Sequence, residues 1–98
     1  ISSIEVEEAL YRHPAVAVTA VVAMPHEKWG ETPCAFVELT EGQAADAETL
    51  RACCREHLAP YKVPGRFVFT TIPRTSTGKI QKFLLRTRAR ELAEPEVV

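Results

Sequence analysis

Between Ala15 and Met24 the sequence reads Ala-Val-Ala-Val-Thr-Ala-Val-Val-Ala-Met, with one hydroxyl and no charge. β-Branched residues at this density favour an extended chain, and apolar side chains at both odd and even positions leave neither face of that strand suited to water. The run therefore predicts a central strand, covered on both faces. A chain of 98 residues can build one small domain around it and has no room for a second.

The flanking segments supply the cover. Ser2-Ser3-Ile4-Glu5 forms a capping box, and Val6, Ala9, Leu10 and His13 recur at helical spacing until His13-Pro14 ends the helix. His13 reads as a helix-end residue. Pro25 to Glu31 is a polar loop around the single tryptophan, followed by a second strand over Pro33 to Thr40 with Ala35, Val37 and Leu39 on one face. Glu41-Gly42-Gln43 is a turn. Asp46 caps a second helix with the stripe Leu50, Cys53, Cys54, His57 and Leu58, which Ala59-Pro60 stops. Tyr61 to Gly65 is a proline-bracketed loop, Arg66 to Ile72 a third strand with Phe67 and Phe69 facing one way, and Ile80 to about Leu92 a third helix. The fold class is α+β, a three-stranded sheet flanked by helices, with an exposed lysine-bearing turn before the last helix. Its predicted core is Ile4, Leu10, Val16, Val18, Val22, Val37, Leu50, Leu58, Val68 and Leu84.

Net charge is −1, yet its distribution is uneven. Residues 1–56 carry four Lys/Arg and ten Asp/Glu, residues 57–90 carry eight Lys/Arg and no acid, and residues 91–98 add three Glu. The basic block suits an anionic partner, or equally a helix face balanced by the acidic half. No apolar run reaches the length of a membrane span and no basic-then-apolar leader opens the chain, so a cytoplasmic protein is expected. Cys34, Cys53 and Cys54 have neither disulfide-framework nor zinc-site spacing and read as reduced, apolar fillers; no metal ligands are expected. The start at Ile1, without methionine, reads as a piece of a larger protein.

One stretch carries chemistry. Pro73-Arg74-Thr75-Ser76-Thr77-Gly78-Lys79 places three hydroxyls, a glycine able to turn left-handed and one ammonium directly before a helix. It departs from the phosphate-binding loop pattern, which wants glycine where Pro73 stands and a hydroxyl where Ile80 stands. Alone it is a surface turn with a solvated lysine.

Four landmarks in order change that reading: Ile1-Ser2-Ser3-Ile4-Glu5-Val6-Glu7, Trp29-Gly30-Glu31, Leu58-Ala59-Pro60-Tyr61-Lys62-Val63-Pro64 and Pro73 to Ile80. Over nearly its whole length the chain resembles the C-terminal lid domain of the acyl-adenylate-forming enzymes, the superfamily of acyl-CoA synthetases, luciferases and peptide-synthetase adenylation domains. Its motifs are most similar to those of acyl-CoA synthetases acting on fatty or other hydrophobic acids, with aryl-CoA ligases the nearest alternative. His26 stands where the family pattern has aspartate. The resemblance implies a lid domain over residues 1–93, a tail at 94–98, and a large N-terminal domain and hinge beyond this chain.

It also implies a reaction. A carboxylate attacks the α-phosphate of ATP, with Mg2+ held by the large domain, to give acyl-AMP; the thiol of coenzyme A then displaces AMP. Lys79 matches the lysine that bridges carboxylate and nucleotide in the first step, presented by Gly78. The lid then swings, and the Ile1-Ser2-Ser3 segment helps line the pantetheine tunnel. Trp29, Gly30 and Tyr61 match positions near the CoA nucleotide, with Lys62 a phosphate partner. Without this resemblance Trp29 reads as a cover over core residues. Lys79 is also the expected target of a lysine acetyltransferase, since acetylation removes the charge. Two other classes compete. A nucleic-acid-binding module would use the basic block but needs aromatics on a presenting surface, and Phe67, Phe69 and Phe83 fall at core-like positions, so no nucleic-acid partner is expected. A pure interaction domain would need neither Lys79 nor Trp29.

Overall fold

In a computed structural model describing residues 3–28 and 30–93, the elements run α1 (Ser3–Tyr11), β1 (Val16–His26), β2 (Gly30–Leu39), α2 (Ala47–His57), β3 (Arg66–Phe69) and α3 (Lys82–Ala93). A single 3-10 turn, Pro60–Lys62, separates α2 from β3. The sheet order is β1-β2-β3, with β1 and β2 antiparallel and β2 and β3 parallel. The fold class is the α+β arrangement expected.

Each face of the sheet has its own core. Val21, Ala35, Val37 and the partly buried Phe67 pack with Val6, Ala9 and Leu10 of α1 and Leu50 and Cys54 of α2. On the opposite face Ala20, Val22, Met24, Cys34 and Phe36 pack with Ile72 and with Leu85 and Ala89 of α3. Val16 joins the α1 side although Val18 lies on the α3 side. An irregularity between them accounts for this, because Val16 pairs with Leu39 and Val18 with Glu38, leaving Ala17 unpaired and reversing the alternation.

The position of β1 corrects the expectation of a central strand. It is buried on both faces but lies at the sheet edge, and β2 is the centre. An edge strand leaves alternate amides without a partner strand. Here α1 supplies the partners: Tyr11 Oη accepts the amide of Thr19 (3.1 Å), and Glu7 Oε2 accepts that of Val21 (2.8 Å). Further along, Pro25 has no amide to present.

The cap of α2 follows the sequence, while the capping box expected at α1 rests on Ser2, outside the described residues. Asp46 Oδ1 accepts from both the amide and the hydroxyl of Thr49 (2.8 Å each), which holds its carboxyl below the usual range. His13 Nδ1 accepts the amide of Ala15 (3.1 Å), fixing the turn out of α1. His26 likewise accepts the Lys28 amide through Nδ1 (3.1 Å), closing the turn between β1 and β2 as His13 closes the turn out of α1.

Several boundaries and core assignments differ from expectation. The Pro25–Glu31 loop is mostly strand: β1 continues to His26 and β2 begins at Gly30, which pair with each other. β3 ends at Phe69 because Thr70 donates to Val37 at the edge of the ladder and the chain then leaves the sheet. α3 starts at Lys82 because Ile80 pairs with Arg74 and the Gln81 amide is taken by the Pro73 carbonyl. Ile4 is 64% exposed, facing away from the stripe formed by Val6, Ala9 and Leu10. Leu84 is 44% exposed; Leu85, one residue or about 100° further round the helix, is buried with Ala89 four residues later. His57 and Phe69 are exposed, lying at the ends of their elements beyond the packed layers, and Phe83 sits on the outer side of α3 at 59%. Val18 and Val68 are only half-buried, packed at the margin of the α3-side core.

Leu85→Ala is expected to cost about 2–5 kcal/mol, as for a buried leucine, and Leu84→Ala to stay within about 0.5 kcal/mol, as for a surface site; denaturant unfolding of the two variants decides the phase of α3. Burial, against a weaker opposing pull from Arg66, pushes Cys34 from 9.0 to about 11; burial also pushes Cys54 to about 11. The folded chain thus retains protons that the unfolded chain releases, so this contribution to stability is complete below pH 9.0 and is lost as pH rises towards about 11. Maleimide labelling at pH 8 should reach half-buried Cys53 first, and urea unfolding of Cys34→Ala should show a shallower alkaline loss than the parent.

Candidate functional site

The segment after β3 forms the exposed turn. Ile72 is buried in the α3-side core, and the chain then runs outward through Pro73 and Arg74, reverses over Ser76–Gly78, and returns through Lys79 to half-buried Ile80. Backbone bonds lace the two legs: Thr75 amide to Lys79 carbonyl (2.8 Å), Gly78 amide to Thr75 carbonyl (2.9 Å) and Gln81 amide to Pro73 carbonyl (3.0 Å). Gly78 has φ +87° with open space around it, so glycine is required there by conformation and not by crowding.

The three hydroxyls turn out to differ in role. Thr75 Oγ1 accepts the Lys79 amide (3.1 Å) and shares a hydrogen bond with Thr77 Oγ1 (2.9 Å). A side-chain bond to the amide of the lysine itself stiffens the backbone from which the ammonium projects. No signal in the hydroxyl run singled out Thr75. Lys79 is exposed, and among the described residues no carboxylate pairs with its ammonium. It lines a shallow cleft with Lys82, Phe83 and Arg86, so the surface around it is cationic and partly aromatic.

At the root of the turn stands Glu38, which the sequence did not single out. Its Oε1 accepts the Ile72 amide (2.9 Å), and the Arg74 guanidinium reaches its Oε2 at 3.3 Å. The partners lie 34 and 36 residues away along the chain, and no local pattern links them.

The remaining expected positions fall elsewhere. Ser3 opens α1, and its hydroxyl accepts from Lys82 Nζ (3.4 Å). Tyr61, in the 3-10 turn, is 61% exposed. Lys62 Nζ donates to Glu5 Oε2 (2.9 Å) and lies 5.6 Å from the Tyr61 ring centre; the hydrogen bond it donates to Glu5 foremost holds the ammonium above its usual range. Gly30, at φ +77°, begins β2 beside a groove lined by Met24, Glu31, Arg86 and Arg90. Ile1, Ser2 and Trp29 lie outside the described residues.

The uneven charge resolves partly into pairs between the halves. Lys62 pairs with Glu5, Lys82 with Glu7 (2.9 Å) and Arg74 with Glu38. The basic block therefore serves both folding and surface. Buried Cys34 and Cys54 keep their protons at neutral pH and are not nucleophiles, which fits their reading as fillers. Among the described residues no three His, Cys, Asp or Glu side chains gather as metal ligands. Among them, too, no helix is long and apolar enough to cross a membrane.

Known proteins are similar to this chain in sequence and in fold. The profile of the AMP-binding enzyme C-terminal domain family matches residues 5–79. A peroxisomal acetate/butyrate–CoA ligase of Arabidopsis thaliana is 50% identical over 97 residues, covering 94% of this chain and 17% of that protein. A peroxisomal trans-cinnamate:CoA ligase of Petunia hybrida is 46% identical over 91 residues, covering 92% of this chain and 16% of that protein. Among solved structures, an acyl-CoA synthetase of Brucella canis superposes with TM-score 0.85 at 36% identity, over 96% of this chain and 18% of that one. An amide bond synthetase of Marinactinospora thermotolerans gives TM-score 0.83 at 42% identity, over 90% of this chain and 18% of that one. The chain thus spans about a sixth of the length of the curated relatives it matches. The profile match runs from α1 to the lysine of the exposed turn, and on that ground the chain belongs to the AMP-binding enzyme C-terminal domain family.

Proposed function

We propose that this chain is the mobile lid, over residues 1–93, of an AMP-forming acid–thiol ligase, and that Lys79 is the cation it brings to the adenylation step. The observation that carries the reading is the laced turn. Its backbone is fixed by three bonds between the legs and one from Thr75, while the ammonium at its end is left without a carboxylate partner among the described residues. A cation so held suits a step in which two anions, carboxylate and ATP, must be brought together as charge develops at the α-phosphate. Preorganised positive charge lowers that barrier without reorganisation at the moment of reaction.

The second half-reaction belongs, in this reading, to another part of the same lid. Coenzyme A would meet the Ile1-Ser2-Ser3 segment along its pantetheine arm, with Trp29, Gly30 and Tyr61 near its nucleotide. The exposure of Tyr61 supports that role for the aromatic. Lys62, engaged by Glu5, would have to share or exchange that partner to meet a phosphate. Mg2+, the adenylate pocket and the acyl pocket are assigned to the large domain beyond this chain. The substrate is a carboxylic acid. The relatives named for acetate or butyrate and for cinnamate support both short aliphatic and aromatic acids, and a fatty acid is the member of that range we propose. Placement in the cytoplasm is proposed with it. A lysine acetyltransferase acting on Lys79 would silence the first step by removing the charge.

Phe69 and Phe83 are exposed, and Phe83 lines one cleft with Lys79, Lys82 and Arg86, as a nucleic-acid-binding surface would show, so that alternative keeps one observation in its favour. The family match outweighs it.

The test uses the complete enzyme. Lys79→Ala should lose about 2.7–4 kcal/mol of transition-state stabilisation, about 10²–10³ in rate, by analogy with removal of one preorganised contact. The loss should fall on acyl-AMP formation alone, and the variant supplied with acyl-AMP should still form the thioester at nearly the normal rate. Trp29→Ala should do the reverse, slowing thioester formation or raising the CoA requirement. Equal slowing of both half-reactions by Lys79→Ala in a folded enzyme would refute the two-step lid.

A further inference from the structure

We infer that Glu38 is the positioning residue of the Lys79 turn, a role that rests on the reading of Lys79 as the adenylation cation. The turn has two legs, and each needs an anchor if the ammonium is to point in one direction. The returning leg is anchored by Ile80, packed against the α3-side core. The outgoing leg leaves the sheet at Phe69, and after buried Ile72 it has no strand beside it.

Glu38 supplies what the strand does not. It sits next to last in β2, opposite Val18, and the Val37 carbonyl beside it accepts the Thr70 amide (3.0 Å), which brings the outgoing leg across the end of β2. One carboxylate oxygen then receives the Ile72 amide at 2.9 Å. The Arg74 guanidinium approaches both oxygens, at 3.3 and 3.5 Å. Arg74 in turn pairs across the turn with Ile80, next to Lys79. A single carboxylate on the rigid central strand therefore fixes two successive points of the outgoing leg, and through the Arg74–Ile80 bridge it fixes the leg that carries the lysine.

The chemistry of the contact sets where its effect is felt. Glu38 and Arg74 are partly solvated, and an ion pair of that kind adds little to global stability. Its consequence is local order: without it the outgoing leg retains the Ile72 anchor but gains freedom beyond it. Small displacements of a catalytic group cost rate far out of proportion to their cost in stability.

The variant is Glu38→Gln in the complete enzyme, which keeps an acceptor for the Ile72 amide and removes the charge that holds Arg74. Acyl-AMP formation should fall about 10-fold, the equivalent of one lost charge-assisted bond, and thioester formation from supplied acyl-AMP should be unchanged. Arg74→Ala should give a similar loss, and the double variant should be no worse than either single one. Hydrogen exchange, which does not depend on activity, should show faster exchange at the Thr75, Gly78 and Gln81 amides in Glu38→Gln, with α1 and α2 unchanged. Unchanged turn exchange, or unchanged adenylation, in Glu38→Gln would overturn the inference, as would additive losses in the double variant. Lys79→Ala separates this from the underlying reading: if that variant slows adenylation and Glu38→Gln does not, the positioning role fails alone; if Lys79→Ala leaves adenylation intact, the reading itself fails.

Discussion

The structure depends on covering a short sheet from both sides. Three strands of mostly apolar residues leave no face for solvent, so α1 and α2 must close one side and α3 the other. Once both faces are closed, polar chemistry can be carried only at the ends of strands and in the connections between layers. The link from β3 to α3 is such a connection, because it passes from the sheet to the outer layer. Its length beyond what that crossing needs is folded into the turn that bears Lys79, laced by backbone bonds and rooted at Glu38.

The edge of β1 shows the same economy of parts. Tyr11 and Glu7 of α1 satisfy the outward amides of Thr19 and Val21, and Glu7 also pairs with Lys82 at the start of α3. One carboxylate thereby joins a helix, an edge strand and the helix that follows the Lys79 turn. Lys82 further reaches the Ser3 hydroxyl, so the start of α1 and the base of the last helix are held together.

Local chemistry made much of this legible in the sequence. Asp46 and the helical stripe of Leu50 and Cys54 located α2, and the β-branched run located β1, because capping and periodicity act over a few residues. What depends on distant partners was misread. A strand apolar on both sides looks central, and only the side chains of Tyr11 and Glu7 reveal how an edge can be closed without another strand. For α3 the neighbouring Leu84 and Leu85 have equal hydropathy, and the sheet decides between them. The spacing of Leu85, Ala89 and Ala93 in steps of four was the signal that would have settled it. At the site, Gly78-Lys79 was visible from composition and motif, whereas Glu38 was invisible because a lone glutamate at a strand end acquires meaning only from Arg74, 36 residues on.

If Lys79 meets the carboxylate and nucleotide during the first step, its accessibility in the complete enzyme must fall when those ligands bind. Amine-reactive acylation, followed by peptide mass spectrometry, should modify Lys79 readily in the free enzyme. With ATP and a non-reactive carboxylate analogue present, its modification should fall while that of Lys28 stays constant. Equal labelling of Lys79 with and without those ligands, at concentrations that saturate the enzyme, would contradict the account.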